Sequence, residues 1–160
     1  MHKKLGWIVG GLVRTQAFLI EQAPYANAYA PKKHTETVDP NNYAAQKGDR
    51  LGRTGWVGTY NYEMDSGSYF FRLVYLNWKK LGELVRSVEP AIMKILETWR
   101  VEQNHDAQSP YRYRELARQG LGPKVNEEAG LSWTAYRPSD DPCQYGYHIP
   151  DNMFAVTTLG

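Results

Sequence analysis

Apolar side chains recur at helical spacing along several stretches of this 160-residue chain. The spacing predicts an amphipathic helix over 6–22 and a buried helix over 65–82, with Gly82 as a helix stop. A third helix is predicted over 88–104, with Pro90 in its first turn. Because the second and third helices follow each other closely, we expect them to pack as an antiparallel helical hairpin.

Two longer stretches, 24–62 and 105–150, show no sustained period and are rich in Pro, Gly and Asn. The first is predicted to be a long ordered or semi-ordered loop, and the second has the composition of loops with no convincing strand pattern. Loops of this length often shape a functional site, although a mobile insertion is the alternative for 24–62. A last helix is predicted to start at Pro150-Asp151-Asn152. The sequence stops at Gly160 within this apolar helix, so we expect that more chain follows.

Composition narrows the class of protein without naming a function. The chain is 42% hydrophobic and 22% charged with a net charge of +2, which is typical of one soluble domain. Such a charge gives no reason to expect nucleic acid or an anionic membrane as a partner. Cys143 is the only cysteine and the four histidines lie far apart, so we predict no disulfide, no metal site and no cofactor. The histidines are expected to be scattered surface residues.

The amino-terminal residues admit two interpretations. A basic start, the apolar run 5–13 and Ala28-Tyr29-Ala30 are typical of a signal peptide with an A-x-A cleavage site. We favour a helix instead, because the apolar run is interrupted by glycines and is too short to span a bilayer. The compartment is left open by the sequence.

The strongest candidate chemistry lies in Arg137-Pro138-Ser139-Asp140-Asp141-Pro142. The two prolines keep this segment out of a helix, so the neighbouring carboxylates should point in different directions. A carboxyl group against apolar rings would favour its neutral form, as a general acid requires, and the one near Arg137 would stay ionised. An Asx turn with a surface ion pair is the structural alternative.

Two other segments carry weaker signals. Tyr62-Glu63-Met64-Asp65-Ser66 lies where a loop enters a helix, so Asp65 or Ser66 suits the N-cap position. An N-cap does not account for Glu63 beside an aromatic ring. Pro24-Tyr25-Ala26-Asn27-Ala28-Tyr29 offers an amide and two rings in a non-helical turn. The many tyrosines and tryptophans either stack on sugar faces or fill the core.

Together with Tyr145-Gly146-Tyr147-His148-Ile149-Pro150-Asp151-Asn152-Met153-Phe154-Ala155, these segments resemble the successive signatures of glycoside hydrolase family 125. The resemblance implies an all-α fold that is part of an (α/α)6 barrel, with helical hairpins, long ordered loops and both ends incomplete. Residues 1–160 would then be a single partial catalytic domain. The implied activity is that of an inverting, metal-independent exo-α-mannosidase that removes non-reducing terminal α-1,6-linked mannose, with an α-mannoside glycan as partner.

The same resemblance assigns roles to individual residues. The general acid falls on Asp140 or Asp141, with a lean toward Asp141. The subsite for the terminal mannose and its wall would be formed by Asn27, Glu63, Asp65, Arg137, Tyr147 and Asn152. The family's base is a Glu in its C-terminal half, beyond residue 160, so this chain is not expected to catalyse alone. Gly67-Ser68 departs from the bulkier pair that is usual in the family.

Two further interpretations stay open beside the truncated hydrolase. One is a degenerate relative that binds mannosides without cleaving them, and the other is a helical interaction module whose aromatic residues only fill the core. An incomplete barrel would expose apolar helix faces, so self-association through those faces is expected.

Overall fold

The computed structural model describes residues 2–33, 55–81, 84–113 and 115–160. Within these residues the chain is mostly helical, as predicted. The elements in chain order are α1 His2–Gln22, β1 Ala28–Tyr29, β2 Val57–Thr59, α2 Met64–Leu81, α3 Leu84–Glu102, α4 His105–Gln108 and α5 Ile149–Leu159. Some parts of the chain considered above lie outside the described residues. They are residues 34–54, which include His34 and the centre of the loop 24–62, and Gly82.

The first helix buries one face and exposes another. Val13, Ala17 and Ile20 are buried at helical spacing, where α1 packs against α3 and α2. Trp7 and Leu12 lie on the exposed side. The predicted helix is therefore confirmed, and its backbone begins four residues earlier, at His2.

The predicted hairpin of α2 and α3 is present, but both helix starts differ from the prediction. The Glu63 carbonyl accepts the Ser66 N–H at 3.3 Å, so α2 begins at Met64 and Asp65 lies in its first turn rather than at the N-cap. α3 begins at Leu84, which places Pro90 inside the helix. Proline at this point removes one hydrogen bond of the helix, and Pro90 lies on its exposed side.

The close approach of α2 and α3 depends on Gly67. A Cβ atom at this position would lie 2.8 Å from Ile95 Cγ2 and 2.9 Å from the Trp99 ring. A residue larger than glycine at this position would require Ile95 or Trp99 to move. The α2 helix also packs against α5, which has Pro150 in its first turn as predicted.

The loop region 24–62 contains a short antiparallel ribbon that the sequence did not reveal. β1 pairs with β2, and the Ala30 N–H donates to the Trp56 carbonyl at 2.8 Å. Strands of two and three residues are too short to show an alternating pattern. The ribbon brings Asn27 close to Asn61, although 34 residues separate them in sequence.

Most of the rings between the helices fill a core rather than line a cleft. The buried members of this aromatic core are Tyr25, Tyr60, Tyr62, Tyr111, Tyr113, Trp133 and Tyr136. His105 is also fully buried, with its ring stacked 3.6 Å from that of Trp133. The expectation of scattered surface histidines is therefore wrong for His105.

No helix in the described part of the chain is both long enough and apolar enough to cross a membrane.

Candidate active site

The side chain of Asn27 is oriented by the ribbon. Its Oδ1 atom accepts the backbone N–H of Asn61 at 3.2 Å and the hydroxyl of Thr59. A backbone N–H can only donate, so the oxygen of the Asn27 amide must face Asn61. The Nδ2 atom is thereby directed to Asp140, whose Oδ1 lies 3.5 Å away.

Asp140 lies at the tip of a tight loop that is closed by the bridge between Tyr136 and Pro142. Its N–H donates to the Arg137 carbonyl at 2.9 Å, and its φ of +61° is a left-handed conformation that Asp tolerates better than most residues. Asn61 Nδ2 lies 3.4 Å from Asp140 Oδ1. Two amides therefore converge on one carboxylate oxygen.

Asp141 points the other way, as expected for neighbouring residues on a non-helical backbone. Its Oδ2 atom lies 3.0 Å from Arg137 Nη2 and accepts the hydroxyl of Ser139 at 2.9 Å. Both partners of this ion pair are about half exposed, at 48% for Arg137 and 57% for Asp141. The surface ion pair, weighed above as the structural alternative, is thus present for Asp141.

Glu63 lies beside Asp140 and Asn27, at the entrance to α2. Burial raises the pKa of its carboxyl group to about 8, with further increases from the charges of Asp65 and Asp140. Asp140 and Asp141 are both exposed, so neither is the carboxyl group against apolar rings that the sequence suggested. Glu63 is therefore the acid of this cluster, among the described residues, whose neutral form is most strongly favoured.

Two further carboxyl groups are buried behind Glu63. Asp65 belongs to the first turn of α2 and Asp151 to the first turn of α5. Burial, and then the charge of Asp151, raises the pKa of Asp65 to about 6. His148 Nδ1 lies 2.9 Å from Asp151 Oδ1. Asp65 Oδ1 and Asp151 Oδ2 have no hydrogen-bond partner within the described ranges.

The other two predicted site residues lie elsewhere. Asn152 is buried, where it accepts the Ser132 N–H at 2.9 Å and donates to the carbonyls of Ser132 and His148, both at 3.1 Å. Its amide is fully occupied in joining α5 to the preceding loop. The Tyr147 hydroxyl donates to the Asn126 carbonyl at 2.8 Å. The structure brings together Asn27, Glu63 and Asp140, with Asp65 behind them.

A small pocket of about 190 Å³ adjoins this cluster. Asn27, Tyr62, Glu63 and residues of α1, α2 and α3 line it. Pockets that enclose a small-molecule ligand usually measure roughly 300–1,000 Å³. A sugar ring would therefore also need the open side of the cluster, where Asp140 lies.

Sequence reasoning missed Thr59 and Asn61, which orient Asn27 and Asp140. A signal for them was available in the alternation of Thr59, Asn61 and Glu63 with the buried Tyr60 and Tyr62. Such alternation is typical of an extended segment with one buried face, so the polar residues share the other face.

The described residues include no group of three or more His, Cys, Asp or Glu side chains arranged to hold a metal ion.

The chain matches the family described as metal-independent alpha-mannosidase (GH125) over residues 1–160. A solved Streptococcus pneumoniae structure of a metal-independent alpha mannosidase, in a non-productive substrate complex with alpha-1,6-mannobiose, shares 37% identity and a TM-score of 0.79. The match covers 95% of this chain and 36% of that one.

A curated relative from Schizosaccharomyces pombe, the meiotically up-regulated gene 157 protein, is 26% identical over 174 residues. That match covers 97% of this chain and 34% of the relative, so the chain spans about a third of the length of the proteins it matches. These likenesses place the chain in a family of glycoside hydrolases, with a mostly helical fold. The chain belongs to family 125, and its fold is consistent with part of an (α/α)6 barrel.

Proposed function

We propose that residues 1–160 form part of the catalytic domain of an inverting exo-α-mannosidase that removes non-reducing terminal α-1,6-linked mannose. The observation that supports this most directly is the convergence of Asn27, Glu63 and Asp140 beside a pocket, in a chain that belongs to family 125. The α-1,6-mannobiose bound by the S. pneumoniae relative supports the choice of substrate.

The proposed reaction needs two carboxyl groups on opposite sides of the sugar. One carboxylic acid gives its proton to the glycosidic oxygen as the bond from that oxygen to C1 breaks. Water attacks C1 from the opposite face, and a carboxylate base takes the proton that the water loses. The released mannose then has the inverted, β configuration.

Geometry favours Asp140 over Asp141 as the general acid. Asp140 faces the cluster, whereas Asp141 is held by Arg137 and Ser139. The earlier lean toward Asp141 thus has less support from the contacts than the choice of Asp140. Asn27 and Glu63 are proposed to bind hydroxyl groups of the terminal mannose. The roles of Asp65 and Arg137 in this subsite, and of Tyr147 and Asn152 in its wall, stay predictions, because these side chains lie behind the cluster or away from it.

Glu63 is not suited to be the base. The two carboxyl groups of an inverting glycosidase stand roughly 6.5–9.5 Å apart, which leaves space for the attacking water. Glu63 lies beside Asp140, so the two carboxyl groups do not have the arrangement of an acid and a base on opposite faces of a sugar. We therefore propose that a further part of a longer protein supplies the base, in keeping with the chain's one-third share of its relatives.

The test is release of mannose from α-1,6-mannobiose by the 160-residue chain, beside a form extended through the adjoining coding sequence. We expect activity only in the extended form. Activity in the short chain would contradict the placement of the base. In the active form, Asp140→Asn should lower kcat by about 10²–10⁴-fold, and Asp141→Asn should cost less than about tenfold. The reverse order would assign the acid to Asp141.

A mannoside-binding relative without catalysis is the second candidate. It is favoured by the combination of the polar cluster at Asn27 and Asp140 with the unsuitability of Glu63 as a base. Binding of α-1,6-mannobiose by calorimetry, with no turnover by either form, would support this candidate over the hydrolase.

We also propose that the isolated chain self-associates through its apolar faces. Trp7 on α1 is 76% exposed, and Met153 and Val156 on α5 are 63% and 71% exposed. A groove of about 590 Å³ lies beside α5 and the end of α3. Size-exclusion chromatography should show oligomers, and a monodisperse monomer that melts cooperatively would contradict this proposal.

A further inference from the structure

We propose that the hydroxyl group of Tyr111 positions the general acid, because it fixes the backbone on both sides of Asn61 and so directs Asn61 toward Asp140. Tyr111 is a positioning residue rather than a catalytic one, since its hydroxyl contacts the backbone behind the cluster. The inference rests on the proposed function, in which Asp140 is the general acid. It was not visible in the sequence, where Tyr111 lies 51 positions from Tyr60.

The hydroxyl group of Tyr111 makes two hydrogen bonds to the segment 60–62. The side chain is fully buried, and its hydroxyl donates to the Tyr60 carbonyl at 2.7 Å. The same oxygen accepts the Tyr62 N–H at 3.3 Å. These two backbone groups belong to the peptide units immediately before and after Asn61. One hydroxyl therefore holds both of the peptide units that flank Asn61.

The peptide unit between Tyr60 and Asn61 connects the core to the candidate site. In a planar trans peptide, the carbonyl oxygen and the N–H group point to opposite sides of the chain. Because the Tyr60 carbonyl faces Tyr111, the N–H of Asn61 points away from it and donates to Asn27 Oδ1 at 3.2 Å. The bond to Tyr111 thus directs the bond that orients Asn27.

The side chain of Asn61 then reaches the acid. Tyr60 and Tyr62 are buried on one side of this extended segment, so Asn61 projects to the other side. Its Nδ2 atom lies 3.4 Å from Asp140 Oδ1, and Asn27 Nδ2 lies 3.5 Å from the same oxygen. Since amide nitrogens only donate, Oδ1 is the accepting oxygen of the acid. The proton for the glycosidic oxygen is then carried by Oδ2, which these two amides do not contact.

The segment also supports the loop that contains Asp140. The Tyr62 carbonyl accepts the N–H groups of Ala135 and Tyr136, both at 3.0 Å. Tyr136 is one side of the bridge that closes this loop. A displacement of the segment would therefore reach Asp140 by two routes, through its loop and through Asn61.

Tyr111 is well suited to hold this segment because its own position is fixed. Its N–H donates to Ser109 Oγ at 3.1 Å, and the Ser109 hydroxyl donates to the buried carboxylate of Glu102. Its ring stacks on that of Tyr25, with the ring centres 5.3 Å apart. A hydrogen-bonded buried network of this kind is rigid. Tyr111→Phe would remove the hydroxyl and leave the ring in its packing.

The test is Tyr111→Phe in the extended form of the enzyme, assayed on two mannosides. The leaving oxygen of α-1,6-mannobiose needs a proton, whereas dinitrophenyl α-mannoside releases a stable anion that needs none. We expect kcat to fall by about 10–100-fold on mannobiose and by less than about threefold on the aryl mannoside. A purely structural loss would lower both rates by the same factor, and equal losses would overturn the inference.

Tyr136→Phe is the matched control. Tyr136 is another buried tyrosine of the aromatic core, but its hydroxyl lies 3.5 Å from Glu115 Oε2 and not at the segment 60–62. It should leave the ratio of the two rates unchanged. A change in this ratio as large as that in Tyr111→Phe would also overturn the inference.

Asn61→Ala gives an answer where Tyr111→Phe fails to fold. The Asn61 side chain is only partly buried, so its removal leaves the core intact. The same selective loss on mannobiose is expected, because the acid loses one of its two amide donors. Equal losses on the two substrates would contradict the route from Tyr111 to Asp140.

A second measurement requires no turnover and separates this inference from the proposed function. In the 160-residue chain, Tyr111→Phe should shift the side-chain ¹⁵N–¹H amide signals of Asn27 and Asn61. The signal of Asn77, which donates to the Leu73 carbonyl on α2, should stay in place. Unchanged signals for Asn27 and Asn61 would overturn the inference, even in an active mannosidase. Shifted signals in a protein that cleaves neither substrate at any length would remove the mannosidase and keep the positioning of the amides.

Discussion

Two buried regions of this molecule differ in how completely the carboxyl oxygens of their acidic side chains are hydrogen-bonded. The carboxylate of Glu102 in the aromatic core is fully buried and accepts the hydroxyls of Tyr25 and Ser109. Its other oxygen meets His105 Nδ1. In the cluster near Glu63, by contrast, Asp65 Oδ1 has no hydrogen-bond partner within the described ranges.

The network around Glu102 has the properties of a structural element. His105 Nε2 lies 2.7 Å from the Leu121 carbonyl, so both ring nitrogens are occupied. Through Tyr25, this network also joins the turn after α1 to the end of α3. A buried polar network with every member hydrogen-bonded rigidifies a core. Burial alone therefore does not identify a functional acid, and the two regions differ instead in the unused acceptors of Asp65 and Asp151.

The largest effect is expected from removal of the acid at the centre of this network. Glu102→Ala leaves the donors of Tyr25, Ser109 and His105 without their acceptor in the core. We expect the free energy of unfolding to fall by about 3–5 kcal/mol, measured by urea denaturation.

Glu97→Ala is the control for this change. Glu97 forms an exposed ion pair with Lys94 and should cost less than about 0.5 kcal/mol. A loss of less than about 1 kcal/mol in Glu102→Ala would show that the buried network is not a structural element.

The next effect concerns the glycine that packs against the aromatic core. Gly146 has a φ of +72°, and a Cβ atom would lie 2.6 Å from Val125 Cγ1 and 2.7 Å from the Trp133 ring. Gly146→Ala should therefore destabilise the chain by about 2–4 kcal/mol through backbone strain and overpacking. Gly130→Ala separates the two causes, because Gly130 has a φ of +67° with nothing within 4 Å. It should cost only about 1 kcal/mol, and equal losses would remove packing as the cause.

A smaller effect tests the acidic cluster through the pH dependence of stability. The pKa of Glu63 is raised from 4.5 to about 8 on folding, so the folded state binds more protons between these values. Stability should therefore fall as pH rises through this window, and Glu63→Gln should reduce the fall. After allowance for solvent screening, we expect about 1–2 kcal/mol. Melting temperatures from pH 5 to 9 would check this, with parallel curves for wild type and variant as the contradicting outcome.

The smallest effect is expected where the acid is both exposed and paired. Arg137→Ala removes the partner of Asp141, and both side chains are about half in solvent. The free energy of unfolding should change by less than about 1 kcal/mol in urea denaturation. A larger loss would mean that this loop contributes to stability as the network around Glu102 does.

The amino-acid sequence allowed the helices to be predicted because their apolar residues repeat at a period that the helix itself defines. Phe70 and Val74 on α2 and Ala91 and Ile95 on α3 are buried at this spacing. The predicted helix starts were less accurate. Pro90 shows the reason, because the sequence alone does not distinguish a proline inside a helix from one at its beginning. Glu102 and His105 gave no signal at all, since their pairing depends on a core formed by distant loops.

By itself, the sequence determined the mostly helical class and membership of family 125, which its local patterns and motifs carry. Only the tertiary structure decided which acids meet. Asn27 and Asp140 lie 113 positions apart, and Asp141 is next to Asp140 yet points away from the cluster. Local periodicity specifies which face of an element is buried, but it contains no information about which loops are brought together. That choice follows from the packing of α1, α2 and α5 and from the ribbon that orients Asn27 and Asn61.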